Sequence, residues 1–121
     1  MAKTILSVDD SKSIRDMIAF TLQPRGYEVI GAGDGLEGLA ALSTNAVHLV
    51  VCDLNMPNMN GIEMIRKVRE DRRFDGLPIV MLTTEAQKEK MKEAKDAGAT
   101  GWIVKPFDEE KLVSVVGKLI G

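Results

Sequence analysis

At 121 residues the chain has the mass of one domain, with enough apolar content for a core that needs no disulfide or structural metal. A formal net charge of -2 gives no general electrostatic reason to bind nucleic acid or an anionic membrane, and a single cysteine, Cys52, excludes an internal disulfide and argues against a cysteine-based zinc site. No apolar stretch approaches the roughly 18 residues of a membrane span, and the amino terminus lacks a charged-then-apolar secretion signal, so the expectation is a soluble, cytoplasmic protein with no room for an output domain.

Thr4-Ile5-Leu6-Ser7-Val8 is a short apolar run that predicts a buried strand, and it ends in Asp9-Asp10. The segment after it carries Ile14, Met17, Ile18 and Leu22 on one helical stripe and is broken by Pro24 and Gly26. Tyr27-Glu28-Val29-Ile30 alternates apolar and polar residues, as an edge strand with one wetter face does. Asp34 and Glu37 have capping-box spacing and predict the start of a second helix. The same stretch, Gly33-Asp34-Gly35-Leu36-Glu37-Gly38, matches the dinucleotide pattern G-x-G-x-x-G. Its two acidic residues occupy the helix start where a pyrophosphate must sit, and its glycines follow an edge strand, so they read as turn formers.

His48-Leu49-Val50-Val51-Cys52 predicts a third strand running into Asp53, with Cys52 a small buried apolar residue and His48 a strand-edge histidine rather than a phosphorylated relay residue. Met56 and Met59 are expected to pack the following loop, and Asn60 with Glu63 to open the third helix. Gly76 and Pro78 precede a fourth strand, Ile79-Val80-Met81-Leu82, which ends in Thr83. Thr84 with Gln87 has cap spacing for a fourth helix over roughly 86–97. There Lys88, Glu89, Lys90, Lys92, Glu93 and Lys95 leave only Met91 and Ala94 as an apolar stripe, so this helix is expected to be loosely held. After Gly98, Gly101-Trp102-Ile103-Val104 runs into Lys105, and Leu112, Val115, Val116, Leu119 and Ile120 mark the apolar face of a last helix.

Strand-helix alternation of this kind reads as β/α units around a parallel sheet. Parallel strands put their carboxyl ends on one edge, where open α/β folds place their sites, so Asp9, Asp10, Asp53, Thr83 and Lys105 should converge. Three neighbouring carboxylates repel unless a cation compensates them, and Mg2+ favours such oxygen donors together with a phosphate oxygen. Lys105 and Thr83 suit the neutralisation and hydrogen bonding of a phosphoryl group. Asp53 is alone on its strand and is followed by Leu54-Asn55-Met56-Pro57, a turn able to present a carbonyl to a metal, which makes it the candidate nucleophile, with Asp9 and Asp10 as metal holders. Carboxylate acid/base hydrolysis of a sugar would need a cleft that so short a chain can hardly wall.

Over its whole length the chain resembles the receiver domain of the two-component response-regulator family. The resemblance is carried by Asp9-Asp10, the stretch Asp53-Leu54-Asn55-Met56-Pro57-Asn58-Met59-Asn60-Gly61-Ile62-Glu63, Thr83, and Lys105-Pro106-Phe107. It implies a flavodoxin-like (βα)5 fold, a five-stranded parallel sheet in order 2-1-3-4-5 flanked by five helices, occupying residues 1–121 as a single receiver domain without an output domain. It also implies phosphorylation of Asp53 by the phosphohistidine of a sensor histidine kinase, with Mg2+ held by Asp9, Asp10, Asp53 and the backbone carbonyl of Asn55. In that scheme Thr83 is the switch hydroxyl, Lys105 pairs with the phosphate, and the Lys105-Pro106 peptide is usually cis. The protein is then no enzyme with a separate substrate, but a phospho-acceptor that assists its own phosphorylation and dephosphorylation.

Two positions depart from the family pattern. Trp102 stands at the switch position commonly held by Tyr or Phe, and Thr84 stands where a smaller residue is frequent, narrowing access for a donor or phosphatase. The resemblance implies that a changed surface of fourth helix, fifth strand and last helix carries the signal, with Lys88, Lys92 and Lys95 available to an acidic partner. Asn55 and Glu85 resemble chemotaxis regulators with a short phosphoryl lifetime, whose partner is a flagellar switch protein; the alternative is a relay intermediate that hands the phosphoryl to a phosphotransfer domain. No nucleic acid or membrane partner is expected.

Overall fold

The computed structural model describes residues 2–84 and 87–121. Among them, strands β1 (Thr4–Val8), β2 (Glu28–Ala32), β3 (Leu49–Asp53), β4 (Ile79–Thr84) and β5 (Gly101–Lys105) alternate with helices α1 (Lys12–Leu22), α2 (Gly35–Thr44), α3 (Gly61–Glu70), α4 (Lys90–Ala97) and α5 (Glu109–Ile120). The strands pair in parallel in the expected order β2-β1-β3-β4-β5.

Side-chain alternation along each strand assigns the two layers. Ile5, Leu49, Val51, Val80, Leu82 and Ile103 pack with Ile18 and Leu22 of α1 and with Leu112 and Val116 of α5. Leu6, Val8, Val50, Cys52, Ile79 and Met81 face the other way, against Leu42 of α2, Met64, Ile65 and Val68 of α3, and Ala94 of α4. β1, β3 and β4 are covered on both faces, which is why they read as continuous apolar runs, whereas β2 is the half-wet edge its alternation predicts. Each fully buried Leu or Ile contributes roughly 1.5–3 kcal/mol, against about 1 kcal/mol for a helix cap. The core therefore sets the layering, and the caps set where helices begin.

Ser11, Asp34, Asn60 and Asp108 each accept the backbone N–H three residues on, and Asn60 with Glu63 completes a reciprocal capping box. The Asp34–Glu37 pair departs from that pattern, because the Glu37 carboxylate takes the N–H of Gly33 instead of Asp34 (3.3 Å). β2 also runs two residues beyond the apolar run, to Ala32, since Gly31 continues the strand with the Arg15 side chain lying over it.

α4 differs most from expectation. Gln87 does accept the Thr84 N–H (2.8 Å), but the α-helix begins only at Lys90, behind Glu89, which makes no side-chain cap. Residues 88–90 are all charged, so a helical turn ahead of Met91 would bury nothing and gain no packing. The expected start at Ala86 lies outside the described residues. Nor is the helix loosely held at its far end. Gly98 terminates it in the left-handed region (φ 119°), and the Arg69 guanidinium donates to the Gly98 carbonyl (2.9 and 3.2 Å) as well as those of Leu77 (2.8 Å) and Phe74 (3.1 Å). A Cβ on Gly98 would stand 2.7 Å from Arg69 Cγ, so both backbone and space require glycine.

Among the described residues no helix is long and apolar enough to cross a membrane. The tightest backbone approach joins fold to site: a Cβ on Gly61, at the start of α3, would lie 2.3 Å from the Asp53 carbonyl oxygen, whereas one on Gly117 in α5 meets nothing within 4 Å. Gly61→Ala is expected to lower unfolding free energy by about 1–3 kcal/mol through overpacking, and Gly117→Ala to raise it by roughly 0.5–1 kcal/mol through helix propensity. Urea midpoints at constant m-value check both; equal shifts would contradict the contact at Gly61.

Candidate functional site

The carboxyl edge of the sheet gathers the predicted residues. Asp9 follows β1 directly, its N–H extending the ladder to the Ala32 carbonyl (3.0 Å) and its Oδ1 accepting the Ser11 N–H (2.9 Å) at the cap of α1. The Arg15 guanidinium, one turn into α1, donates to the Asp9 carbonyl oxygen and fixes the turn from below. Asp53 is the last residue of β3 and Thr83 the fifth of β4, next to the Leu82 that pairs with Asp53. Lys105 ends β5 and reaches across β4: its Nζ donates to Asp53 Oδ1 (3.0 Å) and Asp9 Oδ2 (3.3 Å). The Lys105-Pro106 peptide is cis, as the resemblance implied.

Carboxylate oxygens of Asp9, Asp10 and Asp53 lie within 4.8 Å of one another. Asp9 and Asp53 are buried and Asp10 is exposed. At an effective dielectric of about 20, like charges this close repel by roughly 3–4 kcal/mol per pair, less for Asp10, which water screens. Burial pushes the Asp53 pKa above the ordinary aspartate value; the Lys105 hydrogen bond opposes that rise and the Asp9 charge adds to it. For Lys105, burial pulls the pKa down, but the bonds and charges of Asp53 and Asp9 outweigh it and hold the ammonium above its usual value. Three carboxylates thus face one ammonium, and the oxygen-only donor set fits a hard divalent cation.

Thr83 is 1% exposed and its Oγ1 has no hydrogen-bond partner among the described residues. A buried, unsatisfied hydroxyl costs about 1–3 kcal/mol, so it marks a place where an acceptor is wanted. Asn55 sits in the exposed loop two residues beyond Asp53, and Trp102 lies on β5 opposite Met81, 42% exposed and apart from the carboxylates. Glu85 lies outside the described residues.

The decoys resolve as expected. The amides of Gly33, Gly35, Glu37 and Gly38 in the glycine-rich stretch are all taken by protein acceptors, the Glu37 carboxylate, the Met59 carbonyl, and the Asp34 carboxylate and carbonyl, rather than left to cradle a phosphate. His48 Nδ1 accepts the Thr4 N–H (2.9 Å) at the start of β1, the opposite edge of the sheet from the aspartates. Cys52 is fully buried, and burial, with the charges of Asp53 and Asp9, pushes its thiol pKa far up, which makes it inert. Met56 and Met59 pack against the core. Sequence reasoning gave no role to Arg15 or to Asn58, whose amide donates to Asp34 Oδ2 (2.7 Å). An asparagine in the left-handed region (φ 67°) is a readable signal only once the backbone is known.

Asp10 has no ion pair among the described residues, so its charge only adds to the repulsion. In chelator, Asp10→Asn is expected to melt a few degrees above the wild type, and on adding Mg2+ to gain less, so that the gap narrows or inverts. A variant melting below wild type in chelator would contradict the repulsion.

The family model described as the response regulator receiver domain matches residues 5–117. Chemotaxis protein CheY1 of Helicobacter pylori is 44% identical over 119 residues, covering 93% of this chain and 96% of its own length. A CheY homolog of Campylobacter jejuni is 40% identical over 119 residues, covering 93% and 92%. The solved structure of chemotaxis response regulator CheY4 of Vibrio cholerae superposes with a TM-score of 0.93 at 44% identity, covering 99% of this chain and 100% of that one.

Proposed function

The chain belongs to the response regulator receiver domain family, and from that premise we propose that it is a cytoplasmic switch of the chemotaxis type, phosphorylated on Asp53 by a sensor histidine kinase. The observation that carries the reading is the Lys105 ammonium bridging Asp53 and Asp9 beside a buried, unpartnered Thr83 hydroxyl.

In the transfer, an Asp53 carboxylate oxygen forms the bond to phosphorus as the nitrogen–phosphorus bond of phosphohistidine breaks. The imidazole leaves with the electron pair and takes up a proton. Lys105 occupies Oδ1, so Oδ2 is the oxygen open to attack. Asp9, Asp10, Asp53 and the Asn55 carbonyl would hold Mg2+, whose chemistry is to neutralise the carboxylates and the phosphoryl oxygens. Loss of the phosphoryl reverses the state: water adds to phosphorus, inorganic phosphate departs and the Asp53 carboxylate is restored, with the same residues assisting.

Phosphorylation adds nearly two negative charges at the end of β3. A phosphoryl oxygen gives Thr83 Oγ1 its missing acceptor, and relief of a penalty of about 1–3 kcal/mol is enough to shift a two-state equilibrium roughly 5- to 150-fold. β4 carries Thr83 and pairs with β5, so the change reaches the α4-β5-α5 surface through Trp102 and the strand it lies on. Chemotaxis relatives at 40–44% identity support a flagellar switch protein as the reader of that surface. Relay to a phosphotransfer domain is not favoured, since these relatives are chemotaxis proteins.

With Mg2+ and a small-molecule phosphodonor, intact mass is expected to show one added phosphoryl group on the wild type and none on Asp53→Asn. No gain in the wild type, or an equal gain in the variant, would sink the assignment. Trp102 emission should change on phosphorylation, and Thr83→Ala should still accept the phosphoryl while losing most of that change; a full response in the variant would remove Thr83 from the switch.

A further inference from the structure

The loop over residues 54–60 is fixed at both ends by the fold: the Leu54 N–H bonds the Leu82 carbonyl (3.3 Å), and the Gly61 N–H bonds the Leu54 carbonyl (2.9 Å). A third hold comes from outside, from the turn before α2. Asp34, 7% exposed, splits its carboxylate between two tasks. Oδ1 caps α2 through the Glu37 N–H (2.9 Å), and Oδ2 accepts the Asn58 side-chain amide (2.7 Å). Beside it the Gly35 N–H donates to the Met59 carbonyl (3.3 Å), and a Cβ on Gly35 would lie 2.8 Å from that same oxygen, so the two turns touch backbone to backbone. Asn58 is the one non-glycine in the left-handed region among the described residues, the conformation that lets its amide meet Asp34. Anchored at 54 and again at 58–59, the chain leaves only residues 55–57 between fixed points, and the Asn55 carbonyl belongs to that span.

We propose that Asp34 and Asn58 are positioning residues for the cation site: their hydrogen bond sets where the Asn55 carbonyl stands, and so tunes Mg2+ affinity without either side chain touching the ion. This rests on the reading of Asp9, Asp10, Asp53 and Asn55 as the Mg2+ site. Partners that orient metal ligands from behind commonly matter roughly tenfold or more in affinity.

Two substitutions separate the pair from its side effects. Asp34→Ser keeps an oxygen to cap α2 but loses the second acceptor and the charge; Asn58→Gly keeps the left-handed backbone and the Asp34 charge but loses the donor. Calorimetric Mg2+ titration of the folded proteins at fixed ionic strength is expected to show each variant roughly tenfold weaker than the wild type. The double variant should be no weaker than either single one, and amide exchange of residues 55–57 in metal-free protein should be faster in all three. Affinities within twofold of the wild type, whatever the melting temperatures, would overturn the inference. A loss confined to Asp34→Ser would overturn it as well, assigning the effect to charge alone. A wild type that shows no Mg2+ isotherm would instead remove the site reading beneath it.

Discussion

Three carboxylates within 4.8 Å of one another, answered by a single ammonium, are the conflict around which this structure is arranged. Scattered over a flexible chain they would separate; here each is fixed at or beside the end of a strand whose both faces are packed, so retreat would cost core contacts worth several kcal/mol. Lys105 lessens the repulsion but cannot cancel it. What remains is a preorganised demand for positive charge in a half-dry place, where electrostatic interactions are stronger than in bulk water.

The same packing accounts for how the demand is kept apart from the rest of the sheet. Hydrogen bonds at the carboxyl edge are directed inward: Ser11 to Asp9, Arg15 to the Asp9 carbonyl, Lys105 to Asp53. Thr83, like Ser7 on β1, is a buried hydroxyl without a partner among the described residues, and it lies one strand away from Asp53. A rigid cluster beside a buried hydroxyl without an acceptor is the arrangement on which the proposed switch would act.

Legibility in the sequence followed the kind of force involved. Largely apolar runs revealed β1, β3 and β4, since burial on both faces leaves no room for charged residues within them, and their polar endings pointed to Asp9, Asp53 and Thr83. The strand order and the convergence with Lys105 came with the family resemblance and the parallel-sheet argument together. The later start of α4 was hidden, because cap spacing at Thr84 and Gln87 looks the same whether the bond closes a turn or opens a helix. Hidden too were the bonds of Arg69, Arg15 and Asn58, the last of them to an Asp34 whose capping of α2 was legible. Each is a bond between loops or to a main-chain carbonyl, and such bonds leave no periodicity in the chain that makes them.

Arg69 bears on α4 in a way its hydrogen-bond count alone does not convey. The guanidinium fastens the Gly98 end of the helix to the loop before β4, Ala94 packs into the core, and the exposed Arg66–Glu93 pair at 3.5 Å joins the first turn to α3. Eight residues of α-helix span about 12 Å. With one end pinned, α4 is a short lever: a displacement of about 1 Å near Lys90 is a tilt of roughly 5° about a pivot at Gly98. A small motion near Lys90 would thus change the direction of the whole helix while leaving its Gly98 end, and the sheet behind it, in place.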